Sequence, residues 1–545
     1  MLITRGTSYE QVYDAFAWRV PEYFNIAEAA CDRHAADPNK VALIHEQTDG
    51  QVRTYTFRDF QNNANRFANV LTGLGLKKGD RVAIMLGQDP EAAIAHLACW
   101  KAGLISIPVS CLFGPDAIEY RLNDCGAKVV LTDLADVPKV LEVRQRTPSL
   151  EAVFLIDGRE SGAENFWTAL KNASDRFTNV PTLADDPAVI CYTSGTTGAP
   201  KGALHAHRIL LGHMPGVEFH HNFFPQPDDL VWSPADWAWL AGLWGILMTA
   251  WFHGVPVLAH RGAGFDPEFA FHLMGKHRVR NALLVPTMLK MMRQVPNPHR
   301  FDINLRTAIS GAEAVGVELF NWMKDTLDIV PNEVYGQTEC NLCLVNCAEV
   351  MPSKPGSLGR PTPGKVTAIV DDAGQVASPG TIGHIAVKRP NPVMLLEYWN
   401  KPDATRDKYI GDWLITGDLG QMDDDGYFWF HGRSDDVITS SGYRIGPGEI
   451  EDAILRHPAV ALAAAVGVPD PERTEVIKAF IVPADGHQGS DTLENEIREM
   501  VKSRLAKHEY PKMIEFVDAL PMTTTGKIQR NVLRAREQEK SGKKG

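Results

Sequence analysis

Short apolar runs alternate with longer amphipathic segments over the first 190 residues of the chain. Residues 81–86 (RVAIML) and 128–133 (KVVLTD) have the continuous apolar character of buried strands. Residues 57–71 have helical periodicity, and Thr56 followed three residues later by Asp59 predicts a capped helix start. Strands that alternate with helices predict an α/β fold, with a large domain of layered and mostly parallel sheets.

The pattern changes along the second half of the chain. Residues 360–432 contain short strands broken by Gly, Pro and Asp-rich turns, which predicts a β-rich subdomain. Beyond it, residues 449–457 and 494–507 are predicted helices, and 462–468 and 478–482 are predicted strands. We therefore predict two domains: a large N-terminal domain of residues 1–433 and a small, mobile α+β domain of residues 434–545.

The apolar stretch 237–260 contains no Asp, Glu, Lys or Arg and approaches the length of a membrane span, which needs about 20 apolar residues. It is interrupted by His253, Gly254, Pro256 and His260, and its flanks show no clear basic bias. We predict a buried helix followed by a buried strand and no membrane span.

Composition and charge narrow the class of protein. The 545 residues are 44% hydrophobic and 22% charged, which is ordinary for a globular protein. A net charge of −12 argues against a nucleic-acid partner, because such proteins neutralise phosphates with a basic surface. Eight cysteines are too few for a disulfide scaffold, and the start shows no apolar signal segment, so we expect a cytoplasmic protein.

Residues 188–202 (AVICYTSGTTGAPKG) are the most informative segment. An apolar strand leads into a loop of Gly, Ser and Thr, whose backbone N–H groups and hydroxyls suit a triphosphate, and Lys201 adds a positive charge. The spacing differs from that of the common nucleotide-hydrolase loop, because Pro200 and Gly202 occupy its Gly and Ser/Thr positions.

This string resembles the signature loop of the adenylate-forming superfamily, [ST]-S-G-[ST]-[ST]-G-x-P-K-G, at every fixed position of 193–202. The superfamily includes acyl-CoA synthetases, luciferases and peptide-synthetase adenylation domains. The resemblance implies that ATP phosphates are bound by Thr193, Ser194, Gly195, Thr196, Thr197, Gly198 and Lys201. It also implies that Thr196 contributes to a Mg²⁺ site.

Further motifs follow in the order of the superfamily. Residues 310–313 (SGAE) resemble its adenine-side segment, which implies nucleotide contacts from Gly311, Ala312 and Glu313. Residues 333–339 (EVYGQTE) resemble its Y-G-x-T-E motif. By that resemblance Tyr335 lies near the adenine, Thr338 contacts the α-phosphate region and Glu339 helps to hold Mg²⁺. The ATP site implied by the resemblance also includes Glu333, Val334, Gly336 and Gln337. A metal held by a hard carboxylate suits the charge that develops as pyrophosphate leaves.

The remaining motifs lie late in the chain. Asp418 and Arg433 resemble the pair that binds the ribose, and Asp435 lies at the hinge position. Lys527, in PMTTTGKI, resembles the catalytic lysine that stabilises charge between the substrate carboxylate and the α-phosphate. Residues 521–527 also resemble a sequence acetylated on that lysine in some relatives, which implies a lysine acetyltransferase and deacylase as partners.

The run SGYRIGP at 441–447 resembles the medium-chain acyl-CoA synthetase branch. The coenzyme A contacts implied by that resemblance are Ser441, Gly442, Tyr443, Arg444, Arg473 and Lys502. For the last two, ordinary surface cations are an equally good interpretation. Thr439 and Met522 stand where many relatives carry lysine.

Together the motifs imply an ATP-dependent acid–CoA ligase with catalytic Lys527, Thr338 and Glu339, which uses Mg²⁺ and the co-substrates ATP and coenzyme A. Acetate-specific relatives carry tryptophan at the position of Gly336, so an acid longer than acetate is expected: medium-chain, branched or aryl. Trp237 and Trp239 are candidates for the acyl-pocket wall, with plain core packing as the alternative. Two other functions stay open, an adenylating enzyme that loads a carrier protein and a non-catalytic nucleotide sensor.

Two groups of residues are interpreted as structural. Cys340, Cys343 and Cys347 are one ligand short of a zinc site, and their spacing predicts small buried side chains on one helical face. The histidines after the phosphate loop are also predicted to be structural; they are His205, His207, His213, His220 and His221.

Overall fold

The structure is a computed structural model that describes residues 1–193, 199–262, 264–311, 315–434, 436, 438–440, 443–470, 474–504, 510–523 and 528–542. The helices in these ranges are α1 (Tyr9–Ala15), α2 (Ile26–Ala30), α3 (Phe57–Gly73), α4 (Pro90–Lys101), α5 (Pro115–Cys125), α6 (Val137–Val143), α7 (Phe166–Lys171), α8 (Ile209–His220), α9 (Leu240–Gly242), α10 (Thr249–Phe252), α11 (Pro267–His277), α12 (Pro286–Met292), α13 (Gly316–Leu327), α14 (Pro402–Arg406), α15 (Pro447–Ile454), α16 (Asp491–Arg504) and α17 (Arg530–Gly542).

The strands in the same ranges are β1 (Val41–Glu46), β2 (Val52–Thr56), β3 (Arg81–Ile84), β4 (Ile105–Pro108), β5 (Val129–Thr132), β6 (Ala152–Leu155), β7 (Glu164–Asn165), β8 (Pro187–Thr193), β9 (Lys201–Ala206), β10 (Val231–Trp232), β11 (Val257–His260), β12 (Asn281–Leu283), β13 (Thr307–Gly311), β14 (Asn332–Gln337), β15 (Asn341–Val345), β16 (Ser357–Pro361), β17 (Thr367–Val370), β18 (Gly383–Lys388), β19 (Glu397–Tyr398), β20 (Tyr409–Ile410), β21 (Trp413–Met422), β22 (Phe428–Arg433), β23 (Ile438–Ser440), β24 (Tyr443–Ile445), β25 (Val460–Asp470), β26 (Thr474–Pro483) and β27 (Met513–Phe516).

The chain divides into two compact units. The first contains the described residues of 1–194, 200–367 and 388–412, and the second contains those of 195–199, 368–387 and 413–545. The predicted boundary between residues 433 and 434 lies inside the second unit, and the domain division proposed from the sequence stays a prediction.

The first unit contains two sheets. One has the strand order β7-β6-β5-β3-β4-β8-β9-β19, and the pairs from β7 to β8 are parallel. The other has the order β2-β1-β11-β10-β12-β13-β14-β15-β16, and the pairs from β1 to β14 are parallel. Antiparallel strands are added at the ends of both. The predicted fold class, layered and mostly parallel α/β, is confirmed.

Helix α3 begins where its capping residues predict. The Asp59 backbone N–H donates to Thr56 Oγ1 at 3.2 Å, and the Thr56 N–H donates to Asp59 Oδ2 at 2.8 Å. The inward face of the helix carries Phe57, Phe60 and Phe67, which are fully buried. Local side-chain chemistry therefore fixes this helix start, and burial of the aromatic face stabilises it.

The apolar stretch 237–260 forms the predicted helix and strand. Helix α9 continues through a π-helical segment, Leu243–Met248, into α10, and strand β11 follows. Trp244 and Trp251 are completely buried, and Trp251 Nε1 donates to Ala42 O at 2.8 Å. None of the helices in the described ranges is long and apolar enough to cross a membrane.

The second unit contains residues 368–387 and 413–432 of the predicted β-rich segment, together with the final αβ segment. Strands β17-β18-β21-β22 lie in that order, and a further sheet has the order β24-β23-β26-β25 with β27 beside β26. Side chains of β25 alternate between two small cores, with Ala463 and Ala465 in one and Ala464 and Val466 in the other. The predicted helices and strands of this segment are confirmed, with ends that differ by a few residues.

The helical prediction for the three cysteines is wrong. Cys343 lies in strand β15, Cys340 in the turn before it and Cys347 beyond it. The segment forms a strand because β15 pairs with β14, although the spacing of the cysteines fits one face of a helix. All three are buried, as predicted, and the part of the chain that the structure describes holds no cluster of three or more His, Cys, Asp or Glu suited to a metal ion.

Candidate active site

The phosphate loop is held at both of its ends by strand pairing. Strand β8 enters it and β9 leaves it in antiparallel register, with Thr193 opposite Lys201. Thr193 Oγ1 donates to Lys201 O at 3.3 Å, and Tyr120 Oη donates to Pro200 O at 2.9 Å. The predicted loop residues Ser194, Gly195, Thr196, Thr197 and Gly198 lie outside the described residues.

The two predicted adenine-side segments lie on adjacent strands. Gly311 ends β13 and pairs in parallel register with Val334 on β14, which continues through Tyr335 to Gln337. Segments that lie more than 20 residues apart in the chain are therefore brought side by side. Ala312 and Glu313 are outside the described residues.

Glu333 belongs to this pair of strands but is buried. It is 5% exposed, and the Val315 backbone N–H donates to its Oε1 at 3.4 Å. Burial raises the pKa of the Glu333 carboxyl to about 8, so its neutral form dominates at pH 7. The Glu333 side chain is therefore a neutral group within the fold.

Gly336 is required by the approach of two backbones. The β14–β15 register shifts between Tyr335 and Gly336, and a Cβ added at Gly336 would lie 2.0 Å from Asn341 O. A larger residue therefore needs a different hairpin. The close approach of the Asn341 backbone is enough to require glycine here, so the glycine alone does not indicate an open acyl pocket.

The tryptophans proposed for the acyl pocket differ in burial. Trp237 is 2% exposed and belongs to the main hydrophobic core. Trp239 is half-buried, with its ring edge-on to Phe113 at a centroid distance of 6.0 Å. Core packing accounts for Trp237, and Trp239 remains the candidate with a partly open face.

Thr338 and Glu339 lie in the turn between β14 and β15. Glu339 is 8% exposed, its backbone O accepts from Leu395 N at 2.9 Å, and its Oε1 accepts a short hydrogen bond from Tyr398 Oη. Lys201 Nζ lies 5.3 Å from the centroid of the same tyrosine ring. Lys201 and Glu339 are thus brought to one tyrosine, which the sequence did not single out.

The Glu339 carboxylate fits a magnesium ion. Mg²⁺ is usually bound through one or two carboxylates together with substrate phosphates. The described residues offer one hydrogen-bond donor to this carboxylate, at Oε1, which leaves Oε2 for a ligand. Thr196, the other predicted metal contact, lies outside the described residues.

In the second unit the predicted ribose pair is brought together. Asp418 on β21 lies opposite Arg433 on β22, and Arg433 Nη1 is 3.3 Å from Asp418 Oδ1. Thr416 Oγ1 accepts from Asp418 N at 3.2 Å and donates to Ile385 O at 2.7 Å. Two hydrogen bonds of Thr416 therefore fix the part of β21 that comes just before the carboxylate.

The predicted coenzyme A and hinge residues are covered only in part. Tyr443 and Arg444 lie in β24, paired with β23. Lys502 Nζ on α16 contacts Glu499 Oε1 at 2.6 Å and lies 4.8 Å from the Tyr510 ring. The other coenzyme A and hinge residues, Asp435, Ser441, Gly442 and Arg473, lie outside the described residues. The predicted catalytic Lys527 lies outside them as well.

The five histidines after the phosphate loop are all buried, in agreement with their structural interpretation. His213 Nε2 is 2.5 Å from Asn341 Oδ1, and His221 Nδ1 is 2.6 Å from Thr307 Oγ1. Burial lowers the pKa of His205 to about 4, so its imidazole is neutral at pH 7.

Comparisons with known proteins identify the family of the chain. Residues 31–399 match the family model "AMP-binding enzyme", and residues 449–527 match "AMP-binding enzyme C-terminal domain". The chain is 35% identical to the acetyl-coenzyme A synthetase of Bacillus subtilis (strain 168), over 97% of this chain and 95% of that protein. It is also 35% identical to the mitochondrial acyl-coenzyme A synthetase ACSM3 of Rattus norvegicus, over 97% and 93%.

Among solved structures, the anthranilate CoA ligase AuaEII in complex with anthranoyl-AMP superposes with a TM-score of 0.87. The match covers 96% of this chain and 99% of that one at 28% identity. The relatives and the fold match nearly the whole chain, and the two family models match most of it. The chain therefore belongs to the AMP-binding enzyme family and is an AMP-forming acyl-CoA synthetase, which joins an acid to coenzyme A using ATP.

Proposed function

We propose that the chain activates a carboxylic acid larger than acetate as its acyl-adenylate and then transfers the acyl group to coenzyme A. The observation that carries the first step is the meeting of Lys201 and Glu339 at one buried tyrosine. A triphosphate site needs both a cation that binds the phosphates, here Lys201, and a carboxylate that binds the metal, here Glu339. The acyl-adenylate in the anthranilate CoA ligase supports the same chemistry.

In the first half-reaction, a carboxylate oxygen of the acid attacks the α-phosphorus of ATP and pyrophosphate leaves. Residues 193–198 and Lys201 hold the phosphates, Thr338 contacts the α-phosphate, and Lys527 stabilises charge between the two reactants. Holding the reactants in line is worth about 7–11 kcal/mol. A Mg²⁺ held by Glu339 and Thr196 would offset the charge on the departing pyrophosphate.

The rest of the nucleotide is held by other motifs. The adenine lies against Tyr335, between the segment of Gly311, Ala312 and Glu313 and the strand that runs through Gly336 and Gln337. Asp418 accepts from the ribose hydroxyls, and Arg433 is the second ribose contact. Their ion pair at 3.3 Å supports a shared role, because each orients the other before the sugar binds.

In the second half-reaction, the coenzyme A thiol attacks the acyl carbonyl and AMP leaves. We propose that the final domain rotates about Asp435, withdrawing Lys527 and bringing Gly442 beside the pantetheine chain. Such domain steps commonly limit turnover. Contacts to coenzyme A would come from Ser441, Tyr443, Arg444, Arg473 and Lys502.

For the acid we propose a medium-chain, branched or aryl carboxylate, in a cytoplasmic enzyme. The likeness to the anthranilate CoA ligase supports an aryl acid, and the half-buried Trp239 offers an apolar wall. We further propose that acetylation of Lys527 by a lysine acetyltransferase blocks the first step, because it removes the charge. A deacylase would restore it.

The test is pyrophosphate release from acids of two to twelve carbons and from benzoate and anthranilate, each with and without coenzyme A. We expect acetate to be the poorest substrate, and AMP release to require coenzyme A. Equal rates with acetate and the longer acids would refute the substrate class. Release of AMP only with an unacylated carrier protein, whose phosphopantetheine thiol accepts the acyl group, would refute the second half-reaction.

A further inference from the structure

Residues 395–399 join the two parts of the site that lie on different sheets. Strand β19 pairs antiparallel with β9, which begins at Lys201, so that Tyr398 lies opposite Ala203. Trp399 N donates to Gly202 O at 2.7 Å, and at the other end of the segment Leu395 N donates to Glu339 O at 2.9 Å. One short segment therefore fixes the exit of the phosphate loop and the Glu339 turn relative to each other.

The Tyr398 side chain contacts both parts of the site. It is 3% exposed, its Oη donates to Glu339 Oε1, and its ring lies 5.3 Å from Lys201 Nζ. The hydroxyl is the hydrogen-bond donor in this pair, since an ionised carboxylate can only accept.

We propose that Tyr398 is a positioning residue that holds the Glu339 carboxylate in the orientation that binds the metal of the nucleotide complex. With Oε1 occupied by the hydroxyl, Oε2 is the oxygen that would bind the metal, and the contact between the ring and Lys201 Nζ restrains the ammonium group. The inference rests on the proposed function of Glu339. Removal of such an outer partner typically lowers metal affinity or activity about 10- to 100-fold.

The test is Tyr398→Phe, which removes the hydroxyl and keeps the ring under Lys201. Binding of Mn²⁺ to the enzyme–ATP complex is measured by the loss of the free Mn²⁺ electron paramagnetic resonance signal. We expect about 10- to 100-fold weaker Mn²⁺ binding, and a similar rise in the Mg²⁺ concentration that half-saturates acyl-adenylate formation. Thermal unfolding of the variant checks that the fold is retained.

Tyr9→Phe is the matched control, because Tyr9 is also buried and its Oη donates to Pro361 O at 2.8 Å. It should leave Mn²⁺ affinity unchanged. In a Glu339→Gln background, Tyr398→Phe should weaken binding less than about twofold further, because its partner is already lost.

Three results would overturn the inference. The first is unchanged Mn²⁺ affinity in Tyr398→Phe, and the second is an equal loss of Mn²⁺ affinity in Tyr9→Phe. The third is that Tyr398→Phe weakens Mn²⁺ binding as much in the Glu339→Gln background as in the wild type. Failure of the wild-type chain to form an acyl-adenylate from any acid would instead refute the proposed function. The Mn²⁺ measurement needs no acid, so the two failures are distinguishable.

Discussion

Asp418 and Arg433 face each other across the antiparallel strands β21 and β22, with Arg433 Nη1 3.3 Å from Asp418 Oδ1. The side chain of Asp418 is 7% exposed, whereas that of Arg433 is 35% exposed. The Asp418 carboxylate is therefore buried in the fold, and the Arg433 guanidinium lies on its solvent side. A ligand with two neighbouring hydroxyls suits a carboxylate presented in this way.

Asp418→Asn tests the ribose role. We expect the KM for ATP to rise about 10- to 100-fold, because hydrogen bonds to a charged group are worth about 1.5–3 kcal/mol. The preference for ATP over 2′-deoxy-ATP should shrink as well, since the group that accepts from the sugar hydroxyls is weakened. Steady-state kinetics with both nucleotides measure this, with the exposed Asp424→Asn as the control. An unchanged nucleotide preference would contradict the assignment.

Lys527→Ala separates the two half-reactions. We expect acyl-adenylate formation to fall at least about 100-fold, because the variant loses a charge that acts in the first transition state. Thioester formation from supplied acyl-AMP and coenzyme A should change by less than about threefold, since the lysine is withdrawn in that step. Single-turnover measurements of each half-reaction distinguish the outcomes, and equal loss of both would contradict the role of Lys527.

Sequence reasoning succeeded where the signal is local. The Thr56–Asp59 capping box, the strand that enters the phosphate loop and the helix–strand order of 237–260 are each encoded within a few residues. The motifs also singled out Lys201 and Glu339, which the fold brings to one tyrosine, and the binding roles of these residues stay predictions.

It failed where the cause is a contact between distant segments. Tyr398 lies 59 residues beyond Glu339, and an isolated tyrosine in a two-residue strand gives no pattern that predicts their hydrogen bond. The helical spacing of Cys340 and Cys343 was misleading, because cross-strand pairing of β15 decides the conformation there. Gly336 was interpreted by the size of its side chain, whereas the approach of the Asn341 backbone is what requires it.

Arg530→Met tests a buried ion-pair network in the second unit. Arg530 bonds Glu451 at 2.8 and 2.5 Å and lies 3.5 Å from Asp436, which also contacts Arg534 at 2.7 Å. Removing Arg530 leaves the Glu451 carboxylate buried without its main partner, which typically costs about 3–5 kcal/mol of unfolding free energy. Urea unfolding measures the loss.

The matched control for that network is Arg536→Met, an exposed arginine on the same helix. It should change the free energy of unfolding by less than about 0.5 kcal/mol. A loss in Arg530→Met no larger than that of the control would contradict the importance of the network.

Glu333→Gln tests the buried neutral carboxyl through the pH dependence of stability. Burial raises the pKa of Glu333 from 4.5 to about 8, so between these values the folded state holds a proton that the unfolded state has lost. Wild-type stability should therefore fall relative to Glu333→Gln by about 1.4 kcal/mol per pH unit as pH rises through this window, and the difference should level off above about pH 8. Urea unfolding of both proteins from pH 5 to 9 measures the difference, with Glu318→Gln as an exposed control. A constant difference across that range would show that Glu333 is ionised in the folded state.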